Sequence, residues 1–180
     1  MKFLLNGQET ERLLFRKIER NDFNIWLEFY KNPVTSKHWI SEKKTPKIEC
    51  ENWYKKQFYR YENNQGGMNA LIEKKSGKLI GHCGLLLQKV DNIVELEIGY
   101  SLLPEYWNKG YATEAAKKCR DYAFQNKLTE SLISIISLTN KASETVALKN
   151  RMRIDKKTIY NGNKVTIFRI NKIKFTLERT

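Results

Sequence analysis

Residues 93–115 read Ile93-Val94-Glu95-Leu96-Glu97-Ile98-Gly99-Tyr100-Ser101-Leu102-Leu103-Pro104-Glu105-Tyr106-Trp107-Asn108-Lys109-Gly110-Tyr111-Ala112-Thr113-Glu114-Ala115. Through residue 103 the run alternates. Val94, Leu96, Ile98, Tyr100 and Leu102 share one face, and Glu95, Glu97, Gly99 and Ser101 the other, which is the period of a strand. From Gly110 the period changes to that of a helix over 110–126. Ala112, Ala115, Ala116, Cys119, Tyr122 and Ala123 form one apolar face, with Lys117, Lys118, Arg120 and Asp121 on the solvent side. Residues 131–138 then run Ser-Leu-Ile-Ser-Ile-Ile-Ser-Leu, nearly continuous in apolar character, as expected of a strand covered on both faces. A strand, a helix and a covered strand in succession make a crossover, and a crossover joins parallel strands.

The flanking segments fill out a mixed sheet. Residues 11–18 form a first strand through Leu13, Leu14, Phe15 and Ile18. Asn21 or Asp22 can cap a helix carrying Phe23, Trp26, Leu27 and Tyr30, which Pro33 ends from outside. Thr45-Pro46 opens a second helix, with Trp53, Tyr54, Phe58 and Tyr61 at core spacing. A loop over 63–67 leads to two extended runs, 68–73 and 78–87, joined as a hairpin by Lys75-Ser76-Gly77. A helix over 141–149 and a closing hairpin turned by Asn161-Gly162 complete the order. With no repeat or linker, residues 1–180 form a single α/β domain whose sheet holds one central crossover.

Composition narrows the setting. Hydrophobic residues make up 41% and charged residues 29%, ordinary for a globular chain. A net charge of +13 draws anions, whether phosphate-bearing cofactors, RNA, acidic proteins or headgroups, without choosing among them. The apolar run at the N-terminus is too short for a signal core and no stretch approaches a membrane span, so no membrane partner is expected. Cys50, Cys83 and Cys119 are too scattered for a disulfide framework, which fits a reduced, cytoplasmic location. His82 and Cys83 adjoin, but no second pair stands at ligand spacing, so no metal is expected.

The turn into the 110–126 helix carries the chemistry. First-turn backbone N–H groups lack internal partners, and the helix dipole concentrates positive charge there. Gly110 and Ala112 leave that backbone open, Lys109 adds a charge and Thr113 a hydroxyl, which together make an anion site. Neither common nucleotide fingerprint is present.

Ile98-Gly99-Tyr100, Pro104 to Trp107 and Gly110 to Ala115 closely resemble the acyl-CoA motif of the GNAT superfamily of N-acetyltransferases, and more narrowly its RimJ/RimL-like branch. Thr10 to Arg16, Leu79 to Gly84 and the Asn140-Lys141-Ala142-Ser143-Glu144-Thr145-Val146 segment resemble that branch's other signatures, so that the likeness spans about 8–170. Three positions depart from the common pattern. Trp107 stands where the superfamily has Gln or Arg, as is usual in this branch. Asn108 replaces a common Gly but tolerates a left-handed backbone. Lys149-Asn150-Arg151-Met152 lacks the Gly that normally ends the helix, a cap that Asn150 could supply one residue early.

The resemblance implies a mixed, mostly antiparallel twisted sheet with a central parallel pair splayed around the cofactor and helices on both faces. It further implies direct acetyl transfer from acetyl-CoA (coenzyme A) to a primary amine. Asn108, Lys109, Gly110, Tyr111, Ala112 and Thr113 would hold the pyrophosphate, Tyr100 and Leu102 the pantetheine through backbone N–H groups, and Asn140 would add a hydrogen bond. Glu97 is the expected base or water-positioning carboxylate, with Glu95 as its backup on the same face; the other reading makes both solvated carboxylates of a strand face. Ser143 is the expected donor to the leaving thiolate, or else a helix-cap residue. Tyr111 is a second candidate acid, and His38 and His82 are candidate relays. The aromatic-rich stretch 38–61 would wall the acceptor pocket, which leaves a protein N-terminal amine, a small-molecule amine or an aminoglycoside open. A polyamine ranks lower against the +13 charge. The alternative is a non-catalytic protein whose basic surface binds RNA or the ribosome; without an RNA-binding aromatic motif or an Arg-rich arm, nucleic acid is not the expected partner. A monomer or homodimer fits the sequence.

Overall fold

The computed structural model describes residues 2–39, 42 and 44–172. Seven strands form one sheet in the order β1-β2-β3-β4-β5-β7-β6. They are β1 (Leu13–Arg16), β2 (Gly66–Glu73), β3 (Leu79–Val90), β4 (Ile93–Leu102), β5 (Ser131–Ser137), β6 (Arg153–Tyr160) and β7 (Asn163–Asn171). Every neighbouring pair is antiparallel except β4 and β5, which are parallel and joined by helix α4 (Tyr111–Gln125). The crossover read from the sequence is the one present.

Helices α1 (Phe23–Lys31), the short α2 (Pro33–Ser36) and α3 (Pro46–Glu62) precede β2, and α5 (Lys141–Lys149) follows β5. Apolar side chains are buried on both faces of the sheet, in three clusters among the described residues, the smallest of them Val90, Ile133, Ile135, Val165 and Ile167. Leu13, Phe15, Cys83, Leu85, Leu96 and Ile98 pack beneath α4 and α5. Trp26, Cys50 and Tyr54 of α1 and α3 pack on Ala70 and Leu86 of the other face. All of β5 beyond Ser131 is buried, as its apolar run requires.

Several boundaries differ from those expected. β1 covers only 13–16: Thr10 Oγ1 and the Arg12 N–H turn to Glu114, although the Arg12 carbonyl still accepts from the Lys74 N–H at 2.9 Å. Pro33 does not merely stop α1; it begins α2, capped by the Asn32 side chain. Gly66 and Gly67, expected in a loop, are the first residues of β2. A Cβ on Gly66 would lie 2.0 Å from the Leu85 carbonyl oxygen, so the glycine permits a close strand approach that composition alone does not reveal. Asn161-Gly162 turns the closing hairpin as expected, with positive φ at both residues (47° and 74°).

Candidate active site

The approach to α4 is built from several short-range constraints. Trp107 donates its indole N–H to the Leu102 carbonyl at 2.7 Å, and a single turn of 3-10 helix over Pro104–Tyr106 reverses the chain. Asn108 (φ 58°) and Gly110 (φ 82°) are both left-handed, the conformation for which Asn and Gly pay least. Gly110 caps α4 without a side chain, so the N–H groups of Tyr111, Ala112 and Thr113 have no intrahelical acceptor. Alternating backbone hands gather N–H groups into a concave nest suited to an anion.

Arg12 braces this nest, a role that pattern reading did not assign to it. Its guanidinium donates to the Lys109 carbonyl at 2.9 Å and to Glu114 at 2.6 Å, and stacks 4.2 Å over the Tyr111 ring. Thr10 Oγ1 and the Arg12 backbone N–H donate to the same carboxylate. Although burial opposes it, these donors hold the Glu114 carboxyl below its ordinary range. The only hint in the sequence was the Thr10 to Arg16 likeness. Arg12→Ala is expected to lower stability by about 1–2 kcal/mol, the scale for a charged hydrogen-bond partner at a part-exposed site. Loss of the brace should also weaken binding at the loop, and a thermal melt paired with acetyl-CoA calorimetry reads both effects.

The Tyr111 side chain is turned away from the loop. Its hydroxyl donates to Glu73 at the end of β2, and that bond raises its pKa. Only the backbone N–H of Tyr111 therefore belongs to the nest. Lys109 carries its ammonium 5.4 Å over the Tyr106 ring at the surface.

Next to the loop, β4 and β5 separate. Their one paired position is Glu97 with Ile133. Beyond it the Ile98 carbonyl accepts from the Ser134 hydroxyl at 2.9 Å, and the Ile135 N–H turns to the Glu97 carboxylate. Leu103 N–H bonds the Ile80 carbonyl. By antiparallel alternation, the N–H groups of Tyr100 and Leu102 then face the gap. Across that gap the Tyr100 hydroxyl donates to the Ser143 carbonyl at 2.9 Å. Asn140, not Ser143, is the cap of α5, for its Oδ1 accepts the Ser143 N–H at 3.0 Å. The Ser143 hydroxyl makes no hydrogen bond among the described residues, and the amide nitrogen of Asn140 likewise stays available.

The two β4 carboxylates have different surroundings. Glu95 is clamped by Arg169 through two bonds of 2.6 and 3.0 Å, and Asp155 holds the same guanidinium. Glu97 sits at the apex of the gap, half-buried, and accepts from Gln88 at 2.8 Å. Burial raises its pKa, while Gln88, the Ile135 N–H, Arg60 and Lys56 pull the other way.

The histidines also separate. His82 is fully buried beside Trp26 and Trp53, has no hydrogen-bond partner among the described residues, and is pushed by burial down to about 3, so it stays neutral. His38 is half-buried, and its Nδ1 lies 2.9 Å from Thr139 Oγ1 beside the α5 cap. Ile40, Ser41 and Lys43 of the stretch 38–61 lie outside the described residues. Among the described residues no cluster could hold a metal.

The exit from α5 corrects one expectation. Asn150 is right-handed (φ −88°); Arg151 takes the left-handed seat (φ 64°) that the branch fills with Gly. Met152 N–H reaches the Ala147 carbonyl and Arg151 N–H the Leu148 carbonyl, the double bond pattern of a Schellman close. Asn150 is buried and donates to the Thr113 carbonyl at 3.3 Å, which ties α5 to the first turn of α4.

The site is thus a sheet split at one parallel pair, with a helix start that no side chain caps beside the split. The model of the acetyltransferase (GNAT) domain matches residues 12–153, and the chain belongs to this family. It is 32% identical over 160 residues to protein YkkB of Bacillus subtilis (strain 168), covering 86% of this chain and 89% of that one. It is 30% identical over 161 residues to the uncharacterized N-acetyltransferase YnaD of the same bacterium, covering 86% and 88%. A crystal structure of an acetyltransferase from Agrobacterium tumefaciens str. C58 superposes with a TM-score of 0.78 at 22% identity, over 91% and 93% of the chains. RimL, a ribosomal L7/L12 α-N-protein acetyltransferase solved in complex with coenzyme A, shares the fold at 13% identity and a TM-score of 0.70, over 92% and 97%. The protein is an acyltransferase of the GNAT type.

Proposed function

We propose that the protein transfers an acetyl group from acetyl-CoA directly to a primary amine, on a protein N-terminus or a small molecule, and that it sits in the RimJ/RimL-like branch. One observation carries this reading: the β4 edge that opens beyond Glu97 leads straight to an uncapped, left-handed entry into α4. Open backbone N–H groups along both suit a ligand that is extended at one end and anionic at the other. RimL, with coenzyme A bound on the same fold, lends support.

In this reading the nest of Asn108, Lys109, Gly110, Tyr111, Ala112 and Thr113 holds the pyrophosphate, and Lys109 adds its charge. The Tyr100 and Leu102 N–H groups and the amide of Asn140 orient the pantetheine arm. Bound acetyl-CoA supplies the activated acyl carbonyl. Glu97, unlike the clamped Glu95, is placed to take the proton of the attacking amine, because it lies at the apex of the gap, where burial raises the affinity of its carboxyl for a proton. The Ser143 hydroxyl, unengaged at the first turn of α5, is the donor for the leaving thiolate. Tyr111 and His82 take no part, the first because Glu73 engages it and the second because it is sealed and neutral. Three buried free cysteines fit a cytoplasmic location. Calorimetry with acetyl-CoA, followed by thiol release over a panel of peptides and amines, tests the whole reading; no binding and no rise in melting temperature would end it.

A further inference from the structure

We propose that Gln88 is a positioning residue for Glu97: its side-chain amide, clamped by Arg60 and Tyr160, aims an N–H at the Glu97 carboxylate and holds it as a proton acceptor at the apex of the β4–β5 gap. This inference rests on the proposed role of Glu97 in taking the amine proton.

The contacts fix the amide's orientation. Gln88 Oε1 accepts from Arg60 Nη2 at 2.9 Å and from Tyr160 Oη at 3.0 Å, while Nε2 donates to Glu97 at 2.8 Å. A flipped amide would press its N–H groups on a guanidinium and its oxygen on a carboxylate, so the three partners choose one rotamer. Arg60 is itself immobilised. It is buried, and its Nη1 donates to the carbonyls of Leu87 at 3.0 Å and Gln65 at 3.3 Å. The clamp thus joins α3, β3 and the end of β6 to one oxygen of Glu97, and the Ile135 N–H of β5 supplies the other donor.

Besides Gln88, the charged and titratable groups acting on Glu97 among the described residues are Arg60 and Lys56 of α3, Tyr160 of β6 and Tyr100 of its own strand; Glu95 of that strand is neutralised by Arg169. Removing one of two hydrogen-bond donors from a half-buried carboxylate disfavours its ionised form.

Gln88→Met keeps the volume and deletes the amide; Tyr160→Phe deletes only one arm of the clamp. Two readouts are taken on each folded variant. One is the carbon-13 titration of the Glu97 carboxyl. The other is the pH profile of kcat/KM with acetyl-CoA and whichever panel amine releases thiol fastest. In Gln88→Met both the titration and the acidic limb should move up by about one pH unit, which on the limb itself, well below the parent's titration, is a loss of about tenfold in kcat/KM, the scale of one pKa unit. Tyr160→Phe should move both in the same direction by less, and KM for acetyl-CoA should hold in each variant. If neither the titration nor the limb moves in either variant, the inference is overturned. If the titration moves and the limb does not, Glu97 is not the base, while Gln88's hold on it stands.

Discussion

Gly110→Glu is expected to abolish acetyl-CoA binding, with at least a hundredfold loss of affinity, because a like charge placed in a helix-start anion site opposes the ligand where the dipole had favoured it. The residue is left-handed at φ 82°, and a Cβ there would stand 3.4 Å from the Arg12 guanidinium. The new carboxylate would therefore sit beside the very N–H groups the pyrophosphate needs, and could draw Arg12 off the Lys109 carbonyl. Two effects are mixed in this variant, and Gly110→Asn separates them. Asn tolerates the left-handed backbone at little cost and adds no charge, so it should keep affinity within about tenfold. Calorimetry of both variants checks the placement; undiminished affinity in Gly110→Glu would remove the pyrophosphate from this loop.

Glu97→Gln should lower kcat by about a hundredfold or more, within the range attributed to a general base, and leave acetyl-CoA affinity nearly unchanged. The pH dependence has a definite sign. Burial raises the Glu97 carboxyl above its ordinary value, and the base works only when ionised, so wild-type activity should fall as pH drops through that raised value. Stability runs the other way. The folded state keeps this proton to higher pH than the unfolded chain does, so the contribution of Glu97 to stability declines as pH rises between the unfolded and folded values. Replacing it by a neutral amide removes that penalty while sacrificing one accepted hydrogen bond. The melting temperature at neutral pH should consequently stay within a few degrees of the parent, and the loss of turnover cannot be read as unfolding. A kcat/KM profile that keeps its acidic limb in the variant would return Glu97 to an ordinary strand carboxylate.

The aromatic and apolar periodicities were legible because they are local. The alternation up to residue 103, the helical face from Ala112 to Ala123 and the apolar run of β5 each demand one kind of element, and their order demands a crossover. Asn108 and Gly110 were legible for the same reason, since few residues accept a left-handed backbone. The glycines at 66 and 67 misled for a local reason too: they look like a loop unless the approach of β3 is known. At the end of α5 a local rule chose the wrong residue. Asn is the better left-handed candidate in isolation, yet the buried bond from Asn150 to the Thr113 carbonyl holds it right-handed and passes the turn to Arg151.

The sequence by itself determined that this chain builds a mixed α/β sheet with one strand–helix–strand crossover and a helix start open at its backbone, because those features follow from side-chain period and backbone tolerance over a few neighbouring residues; the split of the sheet was only implied by the family resemblance. Only the tertiary structure decided which polar groups stay available for chemistry. Glu95 and Glu97 are equivalent along the strand and become different when Arg169, 74 positions away in the chain, clamps one and leaves the other at the gap. Arg12 as brace, Tyr111 turned to Glu73 and Gln88 clamped by Arg60 and Tyr160 belong to the same kind of fact. Hydrogen-bond partners are chosen by proximity in space, and no pattern in a single stretch of sequence records who those neighbours will be.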